Sequence, residues 1–328
     1  PKGVKVFFDE KWRLNGAYDT NFYFKSGRLE LDSLTLKQPV FPGDFYSKNK
    51  VFPPLKVTLK LREDYTFGFN YKQSSAIPIY QGKAKFLTKE DLILDKQGLH
   101  AVGEFQKGDL KSITQKSVFY PDSLKAFSSS TLLEPAKNSN FPAFSVAENY
   151  LTWVPDSDSL YVKPSKNRLK FFANAEAELD GNILIHGNKL TGQGIVTQGE
   201  SNTKSDQFEF TKEGWLANPG TFRLGKLQGI YKPDVEASEV KITSIISKNL
   251  IKLNPLNDKQ WVYFPNLFVR SILPKETQID LKNQTVKLVG NRFQIIQMNT
   301  DSSEKFEIPI ESTSAIYSIK ERSLELEG

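Results

Sequence analysis

Two stretches of the sequence, residues 82–172 and 173–263, align without a gap when 91 is added to each residue number of the first. The matching positions are apolar, glycine or proline residues, which set strands and turns, whereas the charged positions between them differ. The matching pairs are Ala84/Ala175, Leu92/Ile183, Leu94/Ile185, Leu99/Leu190, Gly103/Gly194, Phe119/Phe210, Ala126/Ala217, Leu133/Leu224 and Pro142/Pro233. A structural repeat decays in this way. We therefore predict two copies of one unit, with Leu92, Leu94, Phe119 and their counterparts at equivalent buried sites.

The repeat also suggests a division of the whole chain. A short string that begins Phe-Pro and continues with apolar residues starts at Phe52, at Phe141 and at Phe264. Proline there opens a strand at a place where its missing N–H does no harm. The predicted division is residues 1–81, the tail of a preceding β unit with an entry hairpin; 82–172, repeat unit 1; 173–263, repeat unit 2; and 264–328, a partial β unit.

The composition favours strands over helices. Aromatic residues make up 12% of the chain, which also contains 17 Pro, 20 Gly and a single Met, and helical periodicity is hard to find. The alternation of Val4, Val6 and Phe8 with polar residues is typical of a strand half buried on a sheet. We predict an all-β, elongated fold of repeated antiparallel units, with stacked sheets in a β-roll or sandwich-like arrangement.

Two equivalent glycines fall inside predicted strands. Gly103 and Gly194 each follow a leucine by four residues and precede an apolar residue by two. Glycine in a strand costs about 0.5–1 kcal/mol relative to alanine. We predict that each glycine marks a bulge, a bend or a close approach of another backbone segment.

The sequence offers little material for catalysis or metal binding. It has no Cys, which excludes a disulfide framework, a thiolate zinc site and a cysteine nucleophile. The two histidines, His100 and His186, are interpreted as strand or turn residues. Asp156-Ser157-Asp158 lacks the further acidic ligands of a calcium loop and is interpreted as a hairpin tip. We predict no catalytic centre, no metal and no cofactor; a carboxylate pair assembled only by folding is the alternative.

The charge balance bears on the class of partner. Lys and Arg number 44 against 38 Asp and Glu, a formal net charge of +6, but no run of basic residues is present. Because a surface that follows phosphates needs clustered charge, we predict no nucleic-acid partner. No window approaches the ~18 consecutive apolar residues of a spanning helix. The chain begins at Pro1 and not at Met, and we interpret it as a mature or excised fragment.

One group of aromatic residues is a candidate for ligand binding. Trp261, Tyr263 and Phe268 could stack on sugar rings. At strand spacing the alternative is that these side chains belong to the core.

One tripeptide is a candidate for modification. Asp-Ser-Leu occurs three times, with its serine at Ser33, Ser123 and Ser159. The motif resembles the O-glycosylation acceptor of Bacteroidota envelope proteins, in which Asp is followed by Ser or Thr and an apolar residue. The alternative is an ordinary turn at the start of a strand, since Asp and Ser side chains favour turns.

A longer pattern of strands and turns carries a resemblance to a protein family. It runs through Gly98-Leu99, Phe119-Tyr120-Pro121-Asp122-Ser123, Phe141-Pro142, Trp153-Val154-Pro155 and Leu160-Tyr161-Val162. This pattern resembles a segment of the very long β-repeat proteins of the Bacteroidota cell envelope. The resemblance implies an architecture and a location: periplasmic, associated with the outer membrane, or at the cell surface. A weaker likeness, which rests on the monotony of the β repeats and on no matching motif, is to envelope proteins of the AsmA, TamB and OstA type.

These observations favour three functions in order. The first is a non-enzymatic scaffold or adhesion module of the cell envelope, with a core filled by Phe, Leu and Ile. The second is a lipid-carrying β groove, which would leave an apolar trough open. The third is a glycan-binding or glycan-cleaving protein, which would show exposed aromatic rings beside two acids. The partner is therefore unknown at this stage, with other envelope proteins, a glycan or a lipid as the candidates.

Overall fold

The computed structural model describes residues 3–27, 40–63, 65–137, 139–225, 233–257, 260–272, 274–297 and 308–327, without the side chains of 291–297, 308 and 309. Ser33 lies outside these residues, as does the whole of 300–306, a polar stretch whose sequence predicts a loop. Within them the chain forms strands and short 3-10 turns, and no α-helix. Every strand pair whose register is described is antiparallel, so the predicted all-β class is confirmed.

The strands are numbered in chain order. They are β1 Lys5–Phe7, β2 Phe22–Lys25, β3 Val40–Ser47, β4 Leu55–Leu61, β5 Phe67–Tyr71, β6 Ile77–Ile79, β7 Ala84–Thr88, β8 Leu92–Asp95, β9 Gly98–Lys107, β10 Leu110–Phe119, β11 Leu124–Leu133, β12 Phe144–Val154, β13 Ser159–Pro164, β14 Leu169–Phe171, β15 Ala177–His186, β16 Lys189–Gln198, β17 Ser201–Thr211, β18 Gly214–Leu224, β19 Val235–Ile245, β20 Leu250–Asn254, β21 Trp261–Phe264, β22 Val269–Ile272, β23 Glu276–Asp280, β24 Thr285–Gln297, β25 Ile308–Ser318 and β26 Ser323–Glu327. The 3-10 turns are Arg13–Gly16, Asp19–Asn21, Lys48–Lys50 and Ile246–Lys248.

Alternation of side chains explains why these segments are strands. In β4, Leu55, Val57 and Leu59 are buried, while Lys56 and Thr58 between them are exposed. A period of two places successive side chains on opposite faces of a sheet. One face of β4 therefore belongs to the core and the other faces solvent.

The chain forms two compact units. The first contains Pro1–Ala136, Ser145–Asn167 and Ile185–Gly187, and the second contains Lys137–Phe144, Arg168–Leu184 and Asn188–Gly328. In the first unit β1, β2, β3, β4 and β5 pair in that order, β5 pairs with β8, and β9 pairs with β7, β8 and β10. The domain boundaries drawn from the sequence stay a prediction.

In the second unit the sheet forks. β16, β17, β18 and β19 pair in order, and β19 then pairs with β21 along its first half and with β20 along its second half. The two branches rejoin on β24, through β22 and through β23 respectively. Glu239, between the two halves of β19, has a left-handed φ of 56°.

The strands recur at the 91-residue offset. β9 and β16, β10 and β17, and β12 and β19 begin at equivalent positions, and β12 and β19 share one pattern of burial along all their residues. Cross-strand partners also recur: Leu99 pairs with Phe119, and Leu190 pairs with Phe210. The residues of the three predicted pairs, Leu92/Ile183, Leu94/Ile185 and Phe119/Phe210, are all buried, as predicted.

One segment of the repeat has a different secondary structure in the two copies. In the first copy β7 and β8 are separate short strands, with Lys89 and Glu90 in a bend between them. At the equivalent place in the second copy, β15 runs without interruption. The polar sequence of 88–91, Thr-Lys-Glu-Asp, predicts a turn before the apolar run at Leu92. The structure has a bend there, but the repeat does not preserve it.

Gly103 and Gly194 lie where strands come too close for a side chain. A Cβ added at Gly103 would be 2.1 Å from the carbonyl oxygen of Leu87, and one added at Gly194 would be 2.2 Å from that of Asp180. Gly194 also has a φ of +131°, which L side chains rarely adopt. The prediction of a close backbone approach at both glycines is confirmed.

The sheet of the first copy folds over on itself. Phe86 and Phe119 pair with Phe105 and Leu99, which lie six residues apart on β9. A straight strand would separate those rows by about 20 Å, yet the two ring centroids are 5.1 Å apart. A register shift between Thr114 and Ser117 marks the middle of the β9–β10 pair, and bulges of this kind bend strands. The core therefore lies between the two ends of the same strands.

Candidate ligand-binding surface

The outward face of the first four strands carries an unusual set of side chains. Because alternate residues share a face, a set of lysines, aromatic rings and one acid lies together opposite the core. We call it the aromatic–lysine face, and its members are Lys5 and Phe7 of β1, Tyr23 and Lys25 of β2, Asp44 and Tyr46 of β3, and Lys56 and Thr58 of β4.

Its aromatic residues form one row across three strands. Phe7 pairs with Tyr23, and Tyr23 pairs with Tyr46. The Phe7 and Tyr23 ring centroids are 6.1 Å apart, and those of Tyr23 and Tyr46 are 5.2 Å apart with nearly parallel planes. Directly opposed residues on antiparallel strands bring their side chains within this range. Phe7 remains 37% exposed, so the row reaches solvent.

Two lysines are held among these rings. The Nζ atom of Lys5 lies 3.9 Å from the Tyr23 ring centroid and 4.3 Å from that of Phe7. Lys25 Nζ lies 5.5 Å from the ring centroid of Tyr46 and 5.8 Å from that of Tyr23. An ammonium group over a ring face is attracted by the ring quadrupole. The positive charges are therefore positioned by rings, and not by carboxylates of the described residues.

A second row runs beside the first. Asp44 pairs with Lys25 on one side and with Lys56 on the other, yet among the described residues the Asp44 carboxylate forms no ion pair within 4 Å of a lysine. An open depression of about 440 Å³ lies here, lined by Pro42, Gly43, Asp44, Lys56, Val57 and Thr58. The row thus presents a carboxylate and two ammonium groups to a ligand.

The predicted aromatic group lies in the second unit and is partly exposed. Trp261 is 39% exposed, and its ring centroid is 5.5 Å from that of Tyr263 in an edge-to-face arrangement. Phe268 is half-buried in the turn before β22, with a left-handed φ of 52°. The cavity beside Trp261 measures about 10 Å³, room for about one water molecule. The geometry brings Trp261 and Tyr263 together, and the cavity described beside Trp261 is too small to hold a sugar ring.

Charged groups surround Tyr263. Tyr263 pairs with Glu236 on one side and with Arg270 on the other. Partial burial raises the pKa of the Tyr263 hydroxyl, and the negative charge of Glu236 raises it further. Glu236 is itself paired with Arg223, at 3.1 Å. Glu236, the acid opposite Tyr263, is therefore already ion-paired within the protein.

Two of the three candidate serines are described. Ser123 is half-buried, and its hydroxyl donates to Asp122 Oδ1 at 2.9 Å. Ser159 is only 6% exposed, and its Oγ lies 3.0 Å from Nδ1 of His186. A glycosyltransferase could reach Ser123 in the folded chain more readily than Ser159. Modification of Ser33, Ser123 and Ser159 stays a prediction.

The histidines and the acidic hairpin tip have partners within the protein. His100 Nε2 lies 3.1 Å from Asp95 Oδ2, so the two histidines belong to separate pairs. Asp158 lies 2.9 Å from Lys107 Nζ, and Asp156 lies 3.8 Å from Lys83 Nζ. In the described part of the chain no three His, Asp or Glu side chains come together as a metal site would require.

Sequence reasoning missed the aromatic–lysine face. The alternation in Phe22-Tyr23-Phe24-Lys25 does place Tyr23 and Lys25 on one face of a strand. What could not be read is which strands lie beside it, because β2 and β3 are joined by a long connection whose length does not fix a register.

Comparison with known proteins gives one similarity. The chain is 25% identical over 148 residues to a 5-methyltetrahydropteroyltriglutamate–homocysteine methyltransferase of Pasteurella multocida (strain Pm70). The match covers 42% of this chain and 19% of the methyltransferase. No family model matches, and no solved structure matches. Among the described residues no helix is long and apolar enough to cross a membrane.

Proposed function

We propose that the chain is a non-enzymatic scaffold or adhesion module of the cell envelope, built from repeated β units. The observation that carries the proposal is a core filled by the protein's own side chains. In the first copy Phe86, Phe105, Phe119 and Trp153 have no exposed surface. A lipid carrier needs room for an acyl chain, whereas a scaffold needs a packed interior.

Ring contacts support this view of the interior. Phe105 and Tyr80 lie against Trp153, with centroid distances of 5.4 and 5.3 Å. Phe171, at the end of the first copy, stacks on Phe210 of the second copy at 4.3 Å. Such contacts occupy the space between the walls of each folded sheet, and aromatic pairs at these distances are favourable beyond the area that they bury. The lipid groove is therefore our second choice.

The absence of catalysis is part of the proposal. The arrangement that most resembles a nucleophile and a base is Ser159 Oγ beside His186 Nδ1. Ser159 is buried and also accepts a hydrogen bond from Ser157 Oγ at 3.0 Å. The likeness to a methyltransferase covers too little of either protein to transfer that protein's activity to this chain.

The location and partners belong to the same proposal. Envelope location rests on the resemblance of residues 82–290 to Bacteroidota β-repeat proteins, and the partners would be other envelope proteins or a glycan. A specific observation favours glycan binding, without cleavage, as a second role: the aromatic–lysine face has the exposed Phe7 and the half-buried Tyr23 and Tyr46 beside one acid, Asp44, and not the two acids that cleavage needs. Phosphate polymers are not proposed, because the basic residues of the chain are otherwise dispersed.

Native mass spectrometry after gentle extraction tests the proposal. We expect the mass of the polypeptide, with or without covalent glycan, and no bound lipid at a fixed stoichiometry. A lipid that stays bound in a defined ratio would select the groove. For the enzymatic alternative, the purified chain would be assayed on polysaccharides, glycosides and esters; turnover abolished by replacing one Asp or Glu with its amide, or by S159A, would overturn the proposal.

A further inference from the structure

We propose that the aromatic–lysine face of β1–β4 binds an acidic polysaccharide, with its carboxylates on the lysines and its sugar rings against the aromatic row. This inference rests on the proposed role as a surface module and names its ligand. Three features of the face support it: the charges without ion-pair partners, their spacing and the aromatic row.

Among the described residues, Lys25, Lys56 and Asp44 have no partner of opposite sign where a salt bridge would be expected. Lys25 and Lys56 both lie opposite Asp44 on neighbouring strands, but no described carboxylate lies within 4 Å of either ammonium group. Elsewhere in the same unit, Lys107 and Lys83 do pair with the nearby Asp158 and Asp156. The ammonium groups of the aromatic–lysine face are thus available to external anions.

The spacing of the charges suits a polymer that alternates anions with hydroxyls. Strands lie about 4.8 Å apart, so the backbones that carry Lys25 and Lys56 are separated by about 10 Å, with Asp44 between them. A carboxylate accepts hydrogen bonds from hydroxyls and repels anions. Two anions of the ligand would meet Lys25 and Lys56, and a hydroxyl would meet Asp44. A nucleic acid, with a phosphate at every residue and few hydroxyls, fits this order less well.

The aromatic row supplies the apolar contact. Phe7, Tyr23 and Tyr46 extend across three strands beside the depression lined by Asp44, Lys56 and Thr58. Their exposed ring surfaces can contact the C–H groups of a sugar, while the two tyrosine hydroxyls offer hydrogen bonds. A chain of sugars, and not a single small anion, is the ligand that would use the whole row and the depression together.

The test measures binding of polygalacturonate to the full chain by affinity electrophoresis at low and high salt. Neutral dextran and single-stranded oligo-dT serve as comparison ligands. We expect binding of polygalacturonate that weakens with salt, since exposed charges are screened, no retardation by dextran, and weaker binding of oligo-dT. Absence of polygalacturonate binding, or tighter binding of oligo-dT, would overturn the inference.

Variants locate the site. Replacing Lys25 and Lys56 with Gln should lower affinity roughly tenfold, since each exposed ion pair contributes up to about 1 kcal/mol, and Lys25→Arg with Lys56→Arg should keep it. The matched control replaces Lys111 and Lys163, exposed lysines of β10 and β13 in the same unit. Tyr23→Ala should also weaken binding, whereas Tyr161→Ala, an exposed tyrosine of β13, should not.

Equal losses in the control and in the site variants would contradict the assignment to this face. Circular dichroism and thermal melting establish that each variant is folded, and Tyr23→Ala gives an independent test if the lysine pair is not. A failure of glycan binding would leave the proposed scaffold standing, because that proposal depends on a filled core and is tested by bound lipid.

Discussion

The two copies of the repeat pair their backbones alike and fill their cores differently. Leu110 pairs with Leu133 in the first copy, and Ser201 pairs with Leu224 at the equivalent place in the second. Trp153, by contrast, takes the place that Ser244 has in the second copy. Backbone hydrogen bonds do not depend on the side chain, whereas core volume can move between neighbouring sites. The pattern of backbone pairing is therefore the part of the repeat that the two copies share.

The buried polar groups differ as well. In the first copy Ser112 Oγ donates to Ser128 Oγ at 2.7 Å, and Thr131 Oγ1 donates to Asn149 Oδ1 at 3.0 Å. At the positions of Thr131 and Asn149 the second copy has Phe222 and Val240.

The second copy has a network of its own. Gln198 Oε1 accepts from Trp215 Nε1 at 3.1 Å and from Ser244 Oγ at 2.7 Å. Each copy therefore forms side-chain hydrogen bonds of its own, although Asn149 Nδ2 in the first copy and Gln198 Nε2 in the second are buried without a hydrogen-bond partner among the described residues.

The largest contrast is expected at the tryptophan position. Trp153 is fully buried against Tyr80 and Phe105, so Trp153→Ala should lower the free energy of unfolding by about 3–5 kcal/mol. At the equivalent site Ser244→Ala removes one donor to Gln198 and should cost about 1 kcal/mol. Urea denaturation of both variants measures the difference. Similar losses of unfolding free energy in the two variants would contradict the difference described between the two cores.

The two equivalent glycines should respond alike, because they belong to the shared backbone. Gly103→Ala and Gly194→Ala each force a Cβ against a carbonyl oxygen and should destabilise the protein by about 1–3 kcal/mol. Gly194→Ala should cost more, given its φ of +131°. Gly27→Ala is the control, since nothing lies within 4 Å of an added Cβ there. If either Gly103→Ala or Gly194→Ala left the stability unchanged, the close backbone approach would not be a shared feature of the two copies.

The polar network of the first copy offers a conversion experiment. Thr131→Val leaves Asn149 Oδ1 without its donor and should cost about 1–2 kcal/mol. Adding Asn149→Val introduces the residue type that the second copy has at Val240 and removes the amide that has lost its donor. The double variant should lose less stability than the sum of the two single variants, as a denaturation cycle would measure. Additive losses would indicate that the two residues do not interact.

The smallest effect is a pH dependence at Tyr80, two residues before the first copy begins. Burial raises the pKa of the Tyr80 hydroxyl well above its usual value, whereas the residue 91 positions further on, Phe171, has no ionisable group. A raised pKa means that stability is complete below the unfolded pKa of about 10 and is lost as pH rises past it. The stability advantage of the wild type over Tyr80→Phe should therefore shrink between pH 9 and pH 11 in denaturant titrations. An advantage that grows with pH would contradict this sign.

Much of the fold could be predicted from the sequence because it depends on local alternation and on one offset. The period of two identifies β4 from Leu55, Val57 and Leu59 alone. The gap-free offset correctly paired buried positions such as Phe119 and Phe210. Both signals are carried by apolar residues, and these change slowly where they face a core.

What could not be predicted depends on contacts between distant segments. The aromatic–lysine face needs the register of four strands, and the sequence contains no signal for the pairing of Tyr23 with Tyr46. The buried polar networks were missed for a related reason: serine and threonine are common on exposed strand faces, so Ser112 and Thr131 read as surface residues. Only the folded sheet turns them inward.

Disulfide cross-linking tests the shared register most directly, and the chain has no cysteine to interfere. The equivalent pairs are Lys111/Leu132 on β10 and β11 and Asn202/Arg223 on β17 and β18. Directly opposed residues have Cα atoms about 4.5–5.5 Å apart, within the range of a disulfide. The control pairs keep Lys111 and Asn202 and shift the partner by two residues, from Leu132 to Ser130 and from Arg223 to Thr221. The two residues of a control pair are therefore not directly opposed.

Cysteine pairs would be introduced at 111 and 132, at 202 and 223, and in the shifted controls at 111 and 130 and at 202 and 221. Shifted neighbours lie about 7–8 Å apart, too far for an unstrained disulfide. Mild oxidation followed by mass spectrometry should give efficient cross-links in both in-register pairs and poor ones in both controls. Cross-linking that favours the shifted pair in either copy would contradict the account that the two copies share one backbone register.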